Sequence, residues 1–307
     1  MTTNDKGTTT RKVGFIGLGA MGTGMALRLV GAGLTVAGYD VRADAAQALG
    51  RAGGRAAASP ADAARDADAL VVMVVNADQT DAVLFGKDGA VETLPKGALV
   101  MVSTTVPASY IRGLATRLAE HGYQLLDAPV SGGTVGAESG KLTIMAAGTP
   151  EAFARAEPIL AATAGKVYRL GDAPGMGSAV KTVNQLLAGV HIAAAAEAMA
   201  LGAKAGIDPR VLFEVISNSA GMSWMFNNRV PHMLDGDYTP KSAVEIFVKD
   251  LGLVLDTGHE LRFPLPLSAS AHQLFLAASA SGHGREDDSA VVKVFEQLTG
   301  CRVSRPK

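Results

Sequence analysis

Short apolar runs alternate with helical patterns along the first half of the chain. Several runs are apolar at almost every position, which is typical of strands buried on both faces of a parallel sheet. Ser59-Pro60 and Thr149-Pro150 each place a side-chain cap before proline in a first helical turn. The alternation predicts a doubly wound α/β domain. Its strands are expected at residues 12–17, 34–39, 69–75, 98–103, 123–128, 142–147 and 166–170.

The pattern changes after residue 171, beyond which no run reads as a strand. Residues 178–206 contain no proline and are apolar nearly all round. They predict one long helix, buried either in a helical domain or between subunits. Asp208-Pro209 marks the start of another helix. Further helical patterns cover residues 241–261, 266–281 and 287–299.

These two patterns predict two domains, and a chain of 307 residues is long enough to bury two cores. Residues 1–175 are expected to form the α/β domain. Within it, the polar residues 1–11 are expected to be a disordered tail. Residues 176–307 are expected to form an all-helical domain that binds substrate and mediates dimerisation.

Composition narrows the class of protein. Hydrophobic residues make up 48% and charged residues 19% of the chain, which fits a globular protein, and the formal charge of −1 provides no basic surface for nucleic acid. The single cysteine favours a reducing compartment. The six histidines show no metal-ligand spacing. We therefore expect a soluble cytoplasmic protein without a metal and without a nucleic-acid or membrane partner.

The segment VGFIGLGAMGTG, residues 13–24, places glycines where a predicted strand passes into a helix. In G-x-G-x-x-G, the first glycine permits a tight turn, the second lets a pyrophosphate approach the backbone, and the third allows close helix–strand packing. N–H groups at the helix start attract phosphates. This predicts a Rossmann-type dinucleotide site that includes Gly17, Leu18, Gly19, Ala20, Met21 and Gly22.

An acidic residue follows the second predicted strand. Asp40 stands in GYDV, where a carboxylate can accept hydrogen bonds from the hydroxyls of an adenosine ribose. A 2′-phosphate at that place would meet like charge, so Asp40 favours NAD over NADP. Arg42, two residues later, is a basic group that could pair with a phosphate. NAD is the predicted cofactor.

Three later segments add to the glycine loop, namely DAPVSGG (127–133), GSAVKTVNQLL (177–187) and FVKDLGL (247–253). In this order and spacing, the four motifs resemble the β-hydroxyacid dehydrogenase family. That family includes 3-hydroxyisobutyrate dehydrogenase and tartronate semialdehyde reductase and is related to 6-phosphogluconate dehydrogenase. The resemblance implies NAD-dependent oxidation of a small hydroxy acid.

The resemblance implies that Lys181 is the catalytic lysine. A neutral amine there would accept the proton of the alcohol during oxidation, and an ammonium would donate it during reduction. Apolar neighbours in the helix favour the neutral amine. Taken without the motif, a helical lysine is a solvated surface charge.

The resemblance also implies the residues that bind substrate. Ser131, Gly132 and Gly133 are expected to hold the substrate carboxylate, while Asn184 and Gln185 are expected to contact the rest of the molecule. Many family members carry asparagine four residues after the lysine, where this chain has Gln185. The departure favours a more hydroxylated substrate such as threonate, and SWMFNNR and DGDYTP resemble the threonate-oxidising members.

Four further residues are expected to contact the cofactor. The resemblance places Lys249 at the nicotinamide end, with Asp250 orienting local groups. It also places Val75, Asn76 and Thr104 in two loops beside the cofactor.

Other activities fit part of this pattern. These are 3-hydroxyisobutyrate dehydrogenase or tartronate semialdehyde reductase activity, an NADPH-dependent reductase of small aldehydes or semialdehydes in the same family, and a non-catalytic nucleotide-binding protein. A methyltransferase would explain the glycine loop but neither Lys181 nor the helical second half.

A homodimer or homotetramer is expected from the long apolar helix.

Overall fold

A computed structural model describes residues 10–304 of the chain. The chain separates into two compact units, Met1–Lys181 and Thr182–Lys307. The boundary predicted between residues 175 and 176 falls near the start of a long helix, whereas the two units divide inside that helix.

A six-stranded parallel sheet is the centre of the first unit. Its spatial order is β3-β2-β1-β4-β5-β6, the order of a doubly wound dinucleotide-binding fold, which confirms the predicted fold class. The strands are β1 (Lys12–Ile16), β2 (Thr35–Tyr39), β3 (Arg55–Ala56), β4 (Ala69–Val72), β5 (Leu99–Val102) and β6 (Gln124–Asp127).

Successive residues of these strands enter two different hydrophobic cores. Phe15, Val71 and Met101 lie in one core, whereas their neighbours Ile16 and Val72 lie in the other. This division follows from the alternation of side chains along a strand, and it explains why the central strands are apolar throughout. The helices that accompany the sheet are α1 (Ala20–Gly31), α2 (Ala43–Arg51), α3 (Pro60–Ala64), α4 (Ala77–Phe85) and α5 (Ala108–Glu120).

The last predicted strands belong to a separate three-stranded sheet. In it, β8 (Leu142–Ala146) pairs in parallel with β9 (Ala164–Arg169) and antiparallel with the two-residue β7 (Val130–Ser131). The predicted helix between β8 and β9 is present as α7 (Pro150–Thr163), and α6 (Gly133–Ser139) follows β7. The sequence pattern missed β3 and β7 because two residues show no periodicity.

The second unit is helical, as predicted. After Arg169 the described residues contain no further strand of either sheet. The core of this unit includes Ile192, Met199, Phe226 and Phe275. Its helices are α8 (Met176–Lys204, which starts in the first unit), α9 (Pro209–Ser217), α10 (Trp224–Asp235), α11 (Val244–Leu261), α12 (Pro266–Ala278) and α13 (Val292–Thr299).

The long helix α8 is continuous over 29 residues. Among residues 10–304 it is the helix that is long and apolar enough to cross a membrane by length and composition alone. Its buried residues, such as Ile192 and Met199, instead contribute to the core of the helical unit.

The prediction of a disordered tail over residues 1–11 is wrong for its last two residues. Residues 1–9 lie outside the described part of the chain, but Thr10 is buried and its hydroxyl donates to the carbonyl of Arg155 at 2.8 Å. The N–H of Arg11 donates to Asp68 Oδ2 at 2.9 Å. Thr10 and Arg11, which precede β1, are therefore held by the fold. Their polar composition alone does not reveal these contacts.

A buried ion pair ties α10 to the segment before α13. The guanidinium of Arg229 binds both carboxylate oxygens of Asp288, with Nη2 3.0 Å from Oδ2, and Asp288 is fully buried. Burial raises the pKa of the Asp288 carboxyl, and Arg229 acts against that effect. The neighbouring Asp287 is buried as well and lies 3.0 Å from His232 Nδ1.

Loss of this pair should destabilise the protein. Arg229→Ala leaves the Asp288 carboxylate buried without its cation, so we expect a loss of roughly 3–5 kcal/mol in the free energy of unfolding. Arg210→Ala is the control because the pair Arg210–Asp235 is exposed on both sides, and it should cost less than about 1 kcal/mol. Urea unfolding followed by circular dichroism measures both. Equal losses would contradict the expectation.

Candidate active site

The glycine loop is closed by contacts between backbone atoms. Gly17 has a φ of +94°, and a Cβ there would lie 2.3 Å from the carbonyl oxygen of Met73. A Cβ on Gly22 would lie 1.8 Å from the carbonyl oxygen of Gly17. Both positions therefore require glycine, because the turn and the start of α1 are packed against each other and against the end of β4.

Gly19 is in the opposite situation. A Cβ there would meet no heavy atom within 4 Å, and α1 begins at the next residue without a side-chain cap. A cavity of about 520 Å³ adjoins this point. Its lining residues are Leu18, Gly19, Ala20, Thr23, Gly24, Leu27, Arg42, Ala45 and Glu138. The free N–H groups at a helix start, together with this open space, fit the pyrophosphate of a dinucleotide.

Asp40 is held at the edge of this loop by three hydrogen bonds. Its Oδ2 accepts the N–H of Leu18 at 2.8 Å, and its Oδ1 accepts the N–H and the Nε of Arg42 at 2.9 and 3.1 Å. Burial alone would raise the pKa of this carboxyl, but the hydrogen bonds from Arg42 and Leu18 lower it overall. Asp40 is therefore ionised at neutral pH, as an acceptor for ribose hydroxyls must be.

Arg42 and Glu138 line the cavity but are not among the predicted site residues. The guanidinium of Arg42 donates to the carbonyl of Leu18 at 3.1 Å, so it bridges Asp40 and the glycine loop. Its place beside Asp40 is a local signal. Glu138 comes from α6, which packs closely on α1 at Gly24, where a Cβ would lie 2.9 Å from the Glu138 nitrogen. No local pattern indicates that contact.

The two loops after β4 and β5 place their predicted residues differently. Val75 is about half exposed, whereas Thr104 is fully buried and its hydroxyl accepts the N–H of Val74 at 3.2 Å. Asn76 caps α4 by accepting the N–H of Gln79 at 2.9 Å. The side chains of Asn76 and Thr104 thus hold the loops in place. Met21, a predicted cofactor residue on α1, packs on the core of the sheet.

The SGG turn joins β7 to α6. Ser131 pairs with Thr143 in the small sheet, and Gly132 and Gly133 have φ angles of +129° and +63°. Both values lie in the region that favours glycine. A Cβ on Gly133 would point into open space. The turn therefore presents backbone rather than side chains, which suits recognition of a carboxylate by N–H groups.

Lys181 lies on α8 and is buried, with 7% of its surface exposed. It is the last residue of the first unit. Gln185, one turn later on the same helix, is also buried. A lysine that is both buried and close to the start of its helix differs from the solvated surface lysine that helical context alone predicts.

A polar network in the helical unit contains four of the predicted residues. Gln185 Nε2 donates to Asp250 Oδ2 at 2.5 Å, and Gln185 Oε1 accepts from Asn184 Nδ2 at 3.0 Å. Lys249 Nζ lies 2.8 Å from the other oxygen of Asp250. Asp250 is buried and joins Gln185 to Lys249, so it sets the orientation of both groups. Within residues 10–304, no cluster of histidine, cysteine and acidic residues could hold a metal ion.

Family models match both parts of the chain. Residues 12–171 match the NAD binding domain of 6-phosphogluconate dehydrogenase. Residues 175–295 match the NAD-binding domain of NADP-dependent 3-hydroxyisobutyrate dehydrogenase.

Individual relatives agree with these models. L-threonate dehydrogenase of Cupriavidus necator is 59% identical over 285 residues, which cover 93% of this chain and 96% of that enzyme. Mitochondrial 3-hydroxyisobutyrate dehydrogenase of Rattus norvegicus is 34% identical over 292 residues, covering 93% and 87%. A crystal structure of 3-hydroxyisobutyrate dehydrogenase from Salmonella typhimurium is 52% identical with a TM-score of 0.88, covering 92% of this chain and 99% of that one.

The similarity extends over both units and confirms the predicted family, including the likeness to L-threonate dehydrogenase. The chain belongs to the 3-hydroxyisobutyrate dehydrogenase-like family of β-hydroxyacid dehydrogenases, and it is an oxidoreductase with a nicotinamide dinucleotide as cofactor.

Proposed function

We propose that this enzyme oxidises L-threonate to its 2-oxo product with NAD. The observation that carries the proposal is the much higher identity to L-threonate dehydrogenase than to mitochondrial 3-hydroxyisobutyrate dehydrogenase. Gln185 supports it, because its longer amide, held by Asp250, differs from the asparagine of many family members. A substrate with more hydroxyl groups requires such additional polar partners.

The proposed mechanism assigns a proton transfer to Lys181. Its neutral amine accepts the proton of the C2 hydroxyl and becomes an ammonium. NAD, when held by the glycine loop and Asp40, would supply the hydride acceptor for C2. N–H groups of the turn at Ser131, Gly132 and Gly133 hold the carboxylate, while Asn184 and Gln185 contact the remaining hydroxyls. Lys249 belongs to the nicotinamide end of the site.

The proposed cofactor preference for NAD rests on Asp40. Its ionised carboxylate, fixed by Leu18 and Arg42, favours ribose hydroxyls and repels a 2′-phosphate. Val75, Asn76 and Thr104 are proposed to shape the neighbouring loops. Arg42 supports the competing use of NADP, because its guanidinium lines the same cavity.

A second substrate has its own support. The Salmonella structure, which is similar over nearly its whole length, is described as a 3-hydroxyisobutyrate dehydrogenase. A panel of L-threonate, D-threonate, 3-hydroxyisobutyrate and glycerate with NAD, followed by NADH absorbance, separates the candidates. We expect the highest kcat/KM with L-threonate. A higher value with 3-hydroxyisobutyrate would replace the proposed substrate.

Lys181→Ala should remove activity without removing the cofactor site. We expect kcat to fall roughly a hundredfold or more, the usual scale for loss of a general acid or base. The affinity for NAD should change little because the glycine loop and Asp40 remain. Lys181→Arg should not restore oxidation, since a guanidinium does not give up its proton near neutral pH. An active Lys181→Ala enzyme would exclude the proposed mechanism.

Asp40→Ala should widen the choice of cofactor. Removal of the carboxylate ends the repulsion of a 2′-phosphate and releases Arg42 to pair with it. We expect kcat/KM for NADP to rise roughly tenfold or more relative to NAD. The double variant Asp40→Ala/Arg42→Ala is the control and should lose most of this gain. The expectation fails if the wild-type enzyme already uses both cofactors equally.

We further propose that the enzyme is a soluble cytoplasmic homodimer or homotetramer that contacts its copies through α8. Leu187, Ala194 and Leu201 follow one another at seven-residue intervals and are exposed, Leu187 by 50% and Leu201 by 70%. Residues at this interval form a stripe on one side of a helix. An exposed apolar stripe of this kind is typical of a subunit contact.

The stripe can be tested by sedimentation. Leu187→Glu combined with Leu201→Glu should convert the oligomer into smaller species, because the charges would be buried in the contact. Leu298→Glu, at an exposed position on α13, is the control and should leave the assembly unchanged. A wild-type monomer at micromolar concentration would contradict the proposal.

A further inference from the structure

The start of α8 is attached to the end of β6 by one carboxylate. Asp127, the last residue of β6, is fully buried. Its Oδ2 accepts the N–H groups of Gly175 and Ser178, each at 2.9 Å, and its Oδ1 accepts the hydroxyl of Ser178 at 2.7 Å. One side chain therefore satisfies several donors at the first turn of the helix that carries Lys181.

Gly177 brings the same turn against the sheets. A Cβ there would lie 2.4 Å from the carbonyl oxygen of Met145 and 3.0 Å from Asp127 Oδ2. Gly177 precedes Lys181 by four residues, so the two positions lie on the same side of the helix, one turn apart. A shift of this turn would carry Lys181 with it, because a hydrogen-bonded helix moves as a unit.

Burial of the Asp127 carboxylate is unfavourable in free energy, because it removes the charge from water. Burial raises the pKa of Asp127, although the hydrogen bonds from Ser178, Gly175 and Gly177 act in the opposite direction. The backbone of Asp127 is fixed too, since it exchanges N–H and C=O hydrogen bonds with Ala147 at 3.0 and 2.9 Å. Asp127 thus connects β6, the neighbouring β8 segment and α8 at one rigid point.

We infer that Asp127 is a positioning residue for the reaction: it fixes the first turn of α8 and thereby the place of the Lys181 amine. The inference rests on the catalytic role proposed for Lys181. Asp127 acts through hydrogen-bond geometry and transfers no proton. An uncharged group of the same shape should therefore replace it, whereas a shorter side chain should not.

Asparagine provides that replacement. In Asp127→Asn, the amide oxygen can accept both N–H groups, and the amide nitrogen can donate to the Ser178 hydroxyl, which is able to accept. Asp127→Ala instead leaves the N–H groups of Gly175 and Ser178 without this acceptor. The double variant Asp127→Asn/Ser178→Ala removes the hydroxyl that the amide needs, and it provides a second measurement if Asp127→Ala does not fold.

We expect kcat with L-threonate or the best substrate of the panel to fall roughly ten- to hundredfold in Asp127→Ala, with KM for NAD within about twofold of wild type. The pH dependence of kcat should shift as well, because the surroundings of the Lys181 amine change. Asp127→Asn should keep kcat within about threefold and keep the pH profile. Asp127→Asn/Ser178→Ala should lose at least about tenfold.

The Lys181→Ala background separates this inference from the proposed function. If Asp127 acts through Lys181, Asp127→Ala should lower the residual rate of Lys181→Ala by less than about twofold. An active Lys181→Ala enzyme would overturn the catalytic role proposed for Lys181, on which this inference rests. An inactive Lys181→Ala enzyme beside a wild-type rate and pH profile in Asp127→Ala or Asp127→Asn/Ser178→Ala would overturn the positioning role alone. Equal losses in Asp127→Asn and Asp127→Ala would also overturn it.

Discussion

The contact between Gly22 and the carbonyl oxygen of Gly17 is the constraint from which the cofactor site takes its shape. No side chain fits between these atoms, so the turn after β1 and the first turns of α1 have one way to pack. The N–H of Leu18 is then directed to Asp40, and Gly19 is left beside open space. The packing of the backbone therefore determines the electrostatics of the site, because it places the N–H groups at the start of α1 where they can bind phosphate.

The sequence predicts those features that depend on neighbours along the chain. Central strands such as β4 and β5 are buried at every residue, and their unbroken apolar runs identify them. The glycine loop is predictable for the same reason. Glu138 is not, because it reaches the cavity through the packing of α6 on α1. The burial of Thr104 likewise depends on the adjacent loop rather than on its own motif.

The helical unit shows the same limit in its polar network. The motif FVKDLGL indicates Lys249, and GSAVKTVNQLL indicates Gln185, but neither motif shows that Asp250 joins them across 65 residues of chain. Because one carboxylate binds both groups, their orientations are coupled, and substitution of Gln185 changes the surroundings of Lys249. The polar character that Gln185 gives to the site therefore depends on Asp250 and Lys249 as well.

The hydrogen bonds of Asp127 also bear on where the chain divides into its two units. A fragment that ended at residue 175 would contain Asp127 but lack Gly177 and Ser178, and the buried carboxylate would lose the hydroxyl of Ser178 and the N–H groups of both residues. The α/β unit accordingly includes the first turn of α8. Lys181 is the last residue of that unit, so the proposed catalytic amine belongs to the same unit as the glycine loop, although it lies on the helix that continues into the helical unit.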